Sequence, residues 1–117
     1  MGHWIDTHAH IYLKEFRDDL PSAIERAHEL NVKELFMPNV DHATIDAMME
    51  VESRHAGCYA MMGLHPCSVK KDFERELYLV EEWLSKRKFV AVGEIGTDLY
   101  WDKTFWEQQC EAFKVQV

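Results

Sequence analysis

The fold class the sequence predicts is α/β, a parallel sheet of the (β/α)8 TIM-barrel type with about the first four βα units present. Three observations predict it. Short apolar runs alternate with longer helical patterns along the whole chain, which is the signature of strand-helix units. The apolar runs begin near positions 4, 34, 58 and 89, so each unit takes about 30 residues. The runs are also nearly continuous in apolar residues, as fits a parallel sheet covered on its outer face. Eight such units come to roughly 250 residues, and the chain has 117. Residues 1–117 therefore read as the amino-terminal half of such a barrel, with no internal linker, low-complexity segment or second domain.

The first strand is expected at Trp4-Ile5-Asp6-Thr7, followed by a loop from His8 to Phe16 and a helix from about Asp18 to Leu30. Asp18 or Asp19 can cap that helix, Pro21 is tolerated in its first turn, and Leu20, Ala23, Ile24, Ala27 and Leu30 make one apolar face. The second strand is Glu34-Leu35-Phe36-Met37, stopped by Pro38-Asn39, and its helix runs from about Asp41 or Thr44 to Arg54. The third strand is Cys58-Tyr59-Ala60-Met61-Met62, and its helix, from about Asp72 to Lys86, carries a buried stripe of Phe73, Leu77, Val80 and Leu84. The fourth strand, Phe89-Val90-Ala91-Val92, leads through Gly93-Glu94-Ile95-Gly96 to a helical pattern from about Thr104 to Val117. The final residues carry no helix-stop signal such as glycine, so the chain is expected to stop inside its last helix.

Composition narrows the function. Lys and Arg total 13 against 21 Asp and Glu, a formal net charge of -8. The chain as a whole therefore does not attract polyanions or anionic membranes, and any nucleic acid must be gripped locally, for instance through bound divalent cations. Cys58, Cys67 and Cys110 are odd in number and widely spaced, which fits neither a disulfide framework nor a thiolate zinc site. No basic segment followed by an apolar run opens the chain, and no stretch approaches the length needed to span a bilayer. Cytoplasmic residence, with no membrane partner, is the expectation.

The polar residues suited to chemistry fall just after strands, where a parallel barrel carries its active site. His8 and His10 are two apart, so on an extended chain their imidazoles leave on one face and can converge on a cation; a hydrogen-bonded pair at a loop entrance is the alternative. Glu94 follows the fourth strand, where a carboxylate can bridge two cations or simply cap a loop. His65, in Gly63-Leu64-His65-Pro66, can donate a hydrogen bond to a phosphate or carbonyl oxygen, or serve a structural role. Asp98, Tyr100, Trp101 and Asp102 share the loop after Glu94; the two rings can stack on a base or sugar, though packing of the loop is the commoner role. His28 and His55 lie near helix ends, where they complement the dipole, while His42 starts a helix and His3 faces solvent. The Met48-Met49 and Met61-Met62 pairs read as core filler.

Asp6-Thr7-His8-Ala9-His10-Ile11, Gly63-Leu64-His65-Pro66 and Val92-Gly93-Glu94-Ile95-Gly96-Thr97-Asp98, in this order, resemble the TatD family of metal-dependent deoxyribonucleases. Gln108 or Gln109 and Phe113 look like the start of the family's next helix, and Thr97 stands where the family more often has an apolar residue. The resemblance implies a TIM barrel holding two divalent cations, Mg2+, Mn2+ or Zn2+. It also implies His8 and His10 as ligands of one cation, Glu94 as the carboxylate bridging both, and DNA as substrate. The family completes its site with two further histidines and an aspartate from later strands, which these 117 residues do not include.

The function expected is hydrolysis of DNA phosphodiesters by a water activated between two cations, with Glu94 and His65 catalytic. A related hydrolase acting on an amide or ester is the alternative enzyme, since the His-x-His start is shared more widely. A third reading is a non-catalytic half-barrel that assembles with a second half or with a copy of itself, because half a barrel exposes sheet edges and apolar faces.

Overall fold

The computed structural model describes residues 2–117. Its sheet has three parallel strands in the order β1-β2-β3, namely β1 (Trp4–Asp6), β2 (Val32–Pro38) and β3 (Cys58–Met61). Parallel neighbours need long crossovers, and helices α1 (Leu20–Glu29) and α2 (Ile45–Arg54) provide them. Two more helices follow, α3 (Phe73–Lys86) and α4 (Trp106–Gln116).

Strand alternation decides which side chains meet the helices. Leu35 and Met37 of β2 pair in register with Cys58 and Ala60 of β3, and all four are buried in one core with Ile24, Met48 and Val51. The intervening residues point the other way. There Phe36 and Tyr59 pack edge to face with ring centroids 6.0 Å apart, while Tyr59 and Ile5 stay exposed.

The turns are built by particular residues. Asn31 takes a left-handed conformation at φ 66 just after α1, one that asparagine tolerates better than most residues. Gly57, at φ 86, brings its Cα so close to β2 that an added Cβ would sit 2.6 Å from the Lys33 carbonyl oxygen. Asp41 and Thr44 form a reciprocal capping box ahead of α2, whereas the Asp19 side chain at the start of α1 makes no capping hydrogen bond.

The fourth strand expected at residues 89–92 does not form as a regular strand. Only Met62 and Val92 make a bridge. The contacts from Val90 N–H to Ala60 and from Met62 N–H to Ala91 are long at 3.3 Å, and nothing pairs with the outer side of the segment among the described residues. An edge held by one neighbour alone has half the ladder that fixes an interior strand. Pro38, read as a strand stop, is instead the last residue of β2. Leu30 and Leu84 also depart from expectation by being exposed; Leu84 lines an open groove between α3 and α4.

A charged staple ties down the start of the 89–92 segment. Glu52 Oε2 accepts from the Ala60 N–H at 2.6 Å and from Arg87 Nη2 at 3.3 Å, and the Arg87 guanidinium lies 4.2 Å from the Phe89 ring centroid. Burial works to raise the Glu52 pKa. The hydrogen bonds from Arg87 and Ala60, with the Arg87 charge, outweigh it and hold the carboxyl below its ordinary value.

A second staple links the turn before α2 to α3. Glu76 accepts from the His42 N–H at 3.0 Å and from its Nδ1. The hydrogen bond to Glu76, then the Glu76 charge, raise the His42 pKa, with Asp41 and Asp72 adding to the field. A raised folded-state value means that the stabilisation is complete below the ordinary value of 6.5 and is lost as pH climbs through the folded one. His42→Ala is therefore expected to lower stability by up to about 1 kcal/mol at roughly pH 5.5 and by less at roughly pH 9, the imidazole being mostly exposed. Urea melts at the two pH values check this, and equal losses would contradict it.

Candidate metal centre

Beyond β1 the chain stays extended beside β2, with the Ala9 N–H donating to the Phe36 carbonyl at 2.9 Å. His8 and His10 thus flank a pinned residue and leave on the same side. The Asp6 side chain accepts from the His8 N–H at 3.0 Å and holds the first bend.

Glu94 reaches these imidazoles across 84 residues of sequence because the ends of β2, β3 and the 89–93 segment are knitted together. Asn39 does the knitting. Only 1% exposed, it donates from its backbone to Gly93 O at 3.1 Å and accepts from the Glu94 N–H at 3.2 Å. Its side-chain amide donates to Gly63 O at 3.0 Å and accepts from the Thr44 hydroxyl at 2.8 Å. Gly63 and Gly93 meet backbone to backbone here, and a Cβ on Gly63 would stand 2.7 Å from the Gly93 carbonyl carbon.

The result is a tight triangle. His8 Nε2 lies 3.1 Å from His10 Nε2, and Glu94 Oε2 is 3.2 Å from the former and 3.1 Å from the latter. Bonds of about 2.0–2.2 Å to one cation place neighbouring donors about 3 Å apart, so the spacing suits a divalent ion. These three side chains form the potential metal-holding group found among the described residues.

Hydrogen bonds assign the proton on each ring. The Tyr12 hydroxyl donates to the Pro38 carbonyl, so its oxygen is left to accept from His10 Nδ1–H at 3.0 Å. His10 Nε2 then carries the lone pair that faces Glu94. Burial lowers the His10 pKa; the charge of Glu94 opposes it, while those of His8 and His65 reinforce it. The net shift favours the neutral ring, the form that ligates. Burial also raises the Tyr12 pKa, so the phenol keeps its proton.

His65 has the opposite arrangement. Its Nδ1 accepts from the Cys67 N–H at 3.0 Å, which leaves Nε2 as the protonated nitrogen, 3.0 Å from Glu94 Oε1. Glu94 therefore offers Oε2 to the paired histidines and Oε1 to His65. Burial, then the hydrogen bond to Asp98, raise the Cys67 pKa, so this thiol beside the site is not activated.

The four residues singled out for the site, His8, His10, His65 and Glu94, thus come together. The aromatic pair does not join them. Tyr100 and Trp101 are 82% and 78% exposed and pack on each other within their loop at 4.7 Å. Asp98 and Asp102 accept from the N–H groups of Tyr100 and Thr104, two residues on, and shape that loop. His28 and His55 lie at helix ends, His42 opens the turn before α2, and His3 is exposed beside Glu34. All three cysteines are free thiols.

Sequence reasoning missed Asn39 and Tyr12. Asn39 reads as a strand stop, and nothing local reveals its reach. Tyr12 did leave a signal, since His8, His10 and Tyr12 recur at a period of two and so share one side of an extended chain.

The chain is similar to known proteins over nearly its whole length. The family model described as TatD related DNase matches residues 5–117. YabD of Bacillus subtilis, described as an uncharacterized metal-dependent hydrolase, is 35% identical over 112 residues, covering 96% of this chain and 44% of that protein. Human deoxyribonuclease TATDN3 is 26% identical over 105 residues, 80% of this chain and 38% of that protein. The crystal structure of YjjV, a TatD homologue from Escherichia coli, superposes with a TM-score of 0.87 at 30% identity, covering 97% of this chain and 44% of that one. The chain therefore spans less than half the length of the relatives it matches, and its three-stranded parallel sheet with flanking helices follows part of their barrel. On the family match and the shared fold, this chain belongs to the TatD-related family of metal-dependent hydrolases.

Proposed function

We propose that the protein is a deoxyribonuclease that hydrolyses DNA phosphodiesters at a centre of two divalent cations, with His8, His10 and Glu94 as ligands and His65 as a catalytic hydrogen-bond donor. The observation that supports it most directly is the convergence of His8 Nε2, His10 Nε2 and Glu94 Oε2 at 3.1–3.2 Å, in a family whose model bears a DNase description.

Mg2+, Mn2+ or Zn2+ held there supplies positive charge opposite the phosphodiester and lowers the pKa of water. The chain's own residues prepare the rest. Tyr12 holds His10 in the tautomer that presents Nε2. Glu94 keeps one oxygen on each side of the site, which suits a bridging role. Once Oε1 is engaged elsewhere, the His65 Nε2–H is free to donate to a phosphate oxygen. With a net charge of -8 the chain does not attract DNA at long range, so local grip at this centre matters.

Two cations need more donors than three, and we assign the remainder to the part of the barrel that this chain does not span. Ile5, Tyr59, Val90 and Val92 lie exposed on the sheet and its edge segment, which favours a companion half that covers them, either the rest of the barrel or a second copy. Free thiols support residence in the cytoplasm, and no helix among the described residues is long and apolar enough to cross a membrane.

The test is an assay of the protein with Mg2+, Mn2+ or Zn2+ against DNA and against a series of lactones and amides, alongside sizing chromatography. Chelator-sensitive hydrolysis of DNA is expected. Turnover of a lactone or amide with DNA left intact would assign the chemistry to the ester and amide hydrolases instead.

A further inference from the structure

Helix α4 turns a partly polar face inward, where a covering helix ordinarily presents apolar groups. Gln109 and Gln116 are seven residues apart, two helical turns, and their side chains leave the same face with the buried Ala112 between them. Gln109, 3% exposed, spends its whole amide on one residue. Its Oε1 accepts from the Asp98 N–H at 2.8 Å and its Nε2 donates to the Asp98 carbonyl at 2.9 Å, four residues after Glu94. Gln116 Oε1 accepts from the Leu64 N–H at 2.7 Å, one residue before His65, and its Nε2 donates to Ala112 O at 3.1 Å, which orients the amide.

The two loops held in this way also touch each other. The Cys67 thiol donates to Asp98 Oδ2 at 3.4 Å, and the Cys67 N–H donates to His65 Nδ1. A buried amide costs free energy unless it is hydrogen-bonded, and an apolar side chain would cover the sheet without that requirement. What the glutamines add is a fixed main-chain position for the loops on either side of the site.

We propose that Gln109 and Gln116 are positioning residues, a two-point template on α4 that sets the loops bearing Glu94 and His65 in register and thereby shapes the metal centre. The proposal rests on the reading of Glu94 as a ligand.

Gln109→Met and Gln116→Met keep side-chain length and remove the hydrogen bonds. Val80→Ala, in the core on α3, serves as a control that destabilises without removing a hydrogen bond of either glutamine. Co2+ titration followed by visible absorption reports the centre, and imidazole NMR signals of the metal-free protein report His65. Gln109→Met is expected to weaken Co2+ binding by up to about 10-fold, the low end of what losing a direct outer-shell partner costs, and both variants to change the absorption band. Gln116→Met should also move the His65 signals while those of His28 stay in place. Val80→Ala should lower the melting temperature with neither effect.

Glutamine variants that melt earlier, as Val80→Ala does, yet keep Co2+ affinity, absorption and His65 signals unchanged would overturn the proposal. A parent protein showing no Co2+ band would refute the ligand reading alone. The His65 signals would then still decide whether α4 sets the loops, by moving in Gln116→Met or failing to move.

Discussion

Glu94→Ala in a full-length parent is expected to abolish the proposed metal-stimulated hydrolysis of DNA and to remove most of that protein's affinity for divalent cations. Among the described residues, the carboxylate is the group that faces His8, His10 and His65 together, at 3.0–3.2 Å from each. Without it the two ligand imidazoles face each other 3.1 Å apart with no negative charge to offset a cation. The loss should exceed the roughly 10–100-fold that removal of an outer-shell partner costs. Tyr12→Phe supplies that comparison, because it takes away the acceptor that sets the His10 tautomer and leaves all three donors in place. Calorimetric titration with Mn2+ and a DNA hydrolysis assay measure both variants. Undiminished binding and activity in Glu94→Ala would remove Glu94 from the centre.

Gly63→Ala is the second change with a large expected effect, and it acts through the backbone. Its new Cβ would stand 2.7 and 2.8 Å from the carbonyl carbon and oxygen of Gly93 and 3.0 Å from the Gly93 Cα, and a main chain cannot escape by changing rotamer. Relief requires the third loop to move away from the segment leading to Glu94, at about 1–3 kcal/mol, the usual cost of overpacking. His65 follows Gly63 by two residues and Glu94 follows Gly93 by one, so the same movement separates His65 Nε2 from Glu94 Oε1. Gly93→Ala is the informative contrast. Its Cβ would meet the Met61 Cε at 2.5 Å, the free end of a flexible side chain that can swing aside. Urea denaturation should therefore show a clear loss for Gly63→Ala and a smaller one for Gly93→Ala. Equal losses would mean that the glycine-to-glycine approach does not limit the site.

Much of the fold is legible along the chain. The apolar face of α1, the start of the second helix near Asp41 or Thr44 and the strand at Cys58–Met61 depend on residues within a few positions of one another. The fourth strand was not legible in the same way. Phe89-Val90-Ala91-Val92 has strand character, but a strand needs partners, and here it makes a single bridge, from Val92 to Met62 just past β3. Leu84 belongs to the apolar stripe of α3 by spacing and lies exposed because α4 does not reach over it. Tyr100 and Trp101 pack on each other and stay exposed, which their types alone do not reveal.

The sequence by itself determined the parallel α/β class and the order of the units. It also determined the placement of His8, His10, His65 and Glu94 just after the first, third and fourth apolar runs, since periodicity and motif spacing are local properties of a chain. Only the tertiary structure decided that these four side chains meet, which imidazole nitrogen faces the carboxylate, and that Asn39, Tyr12, Gln109 and Gln116 hold them there. Such contacts join positions far apart along the chain, 84 residues between His10 and Glu94. They form because parallel strands bring their ends to one edge of the sheet, where hydrogen-bond partners are set by proximity in space and leave no pattern along the chain.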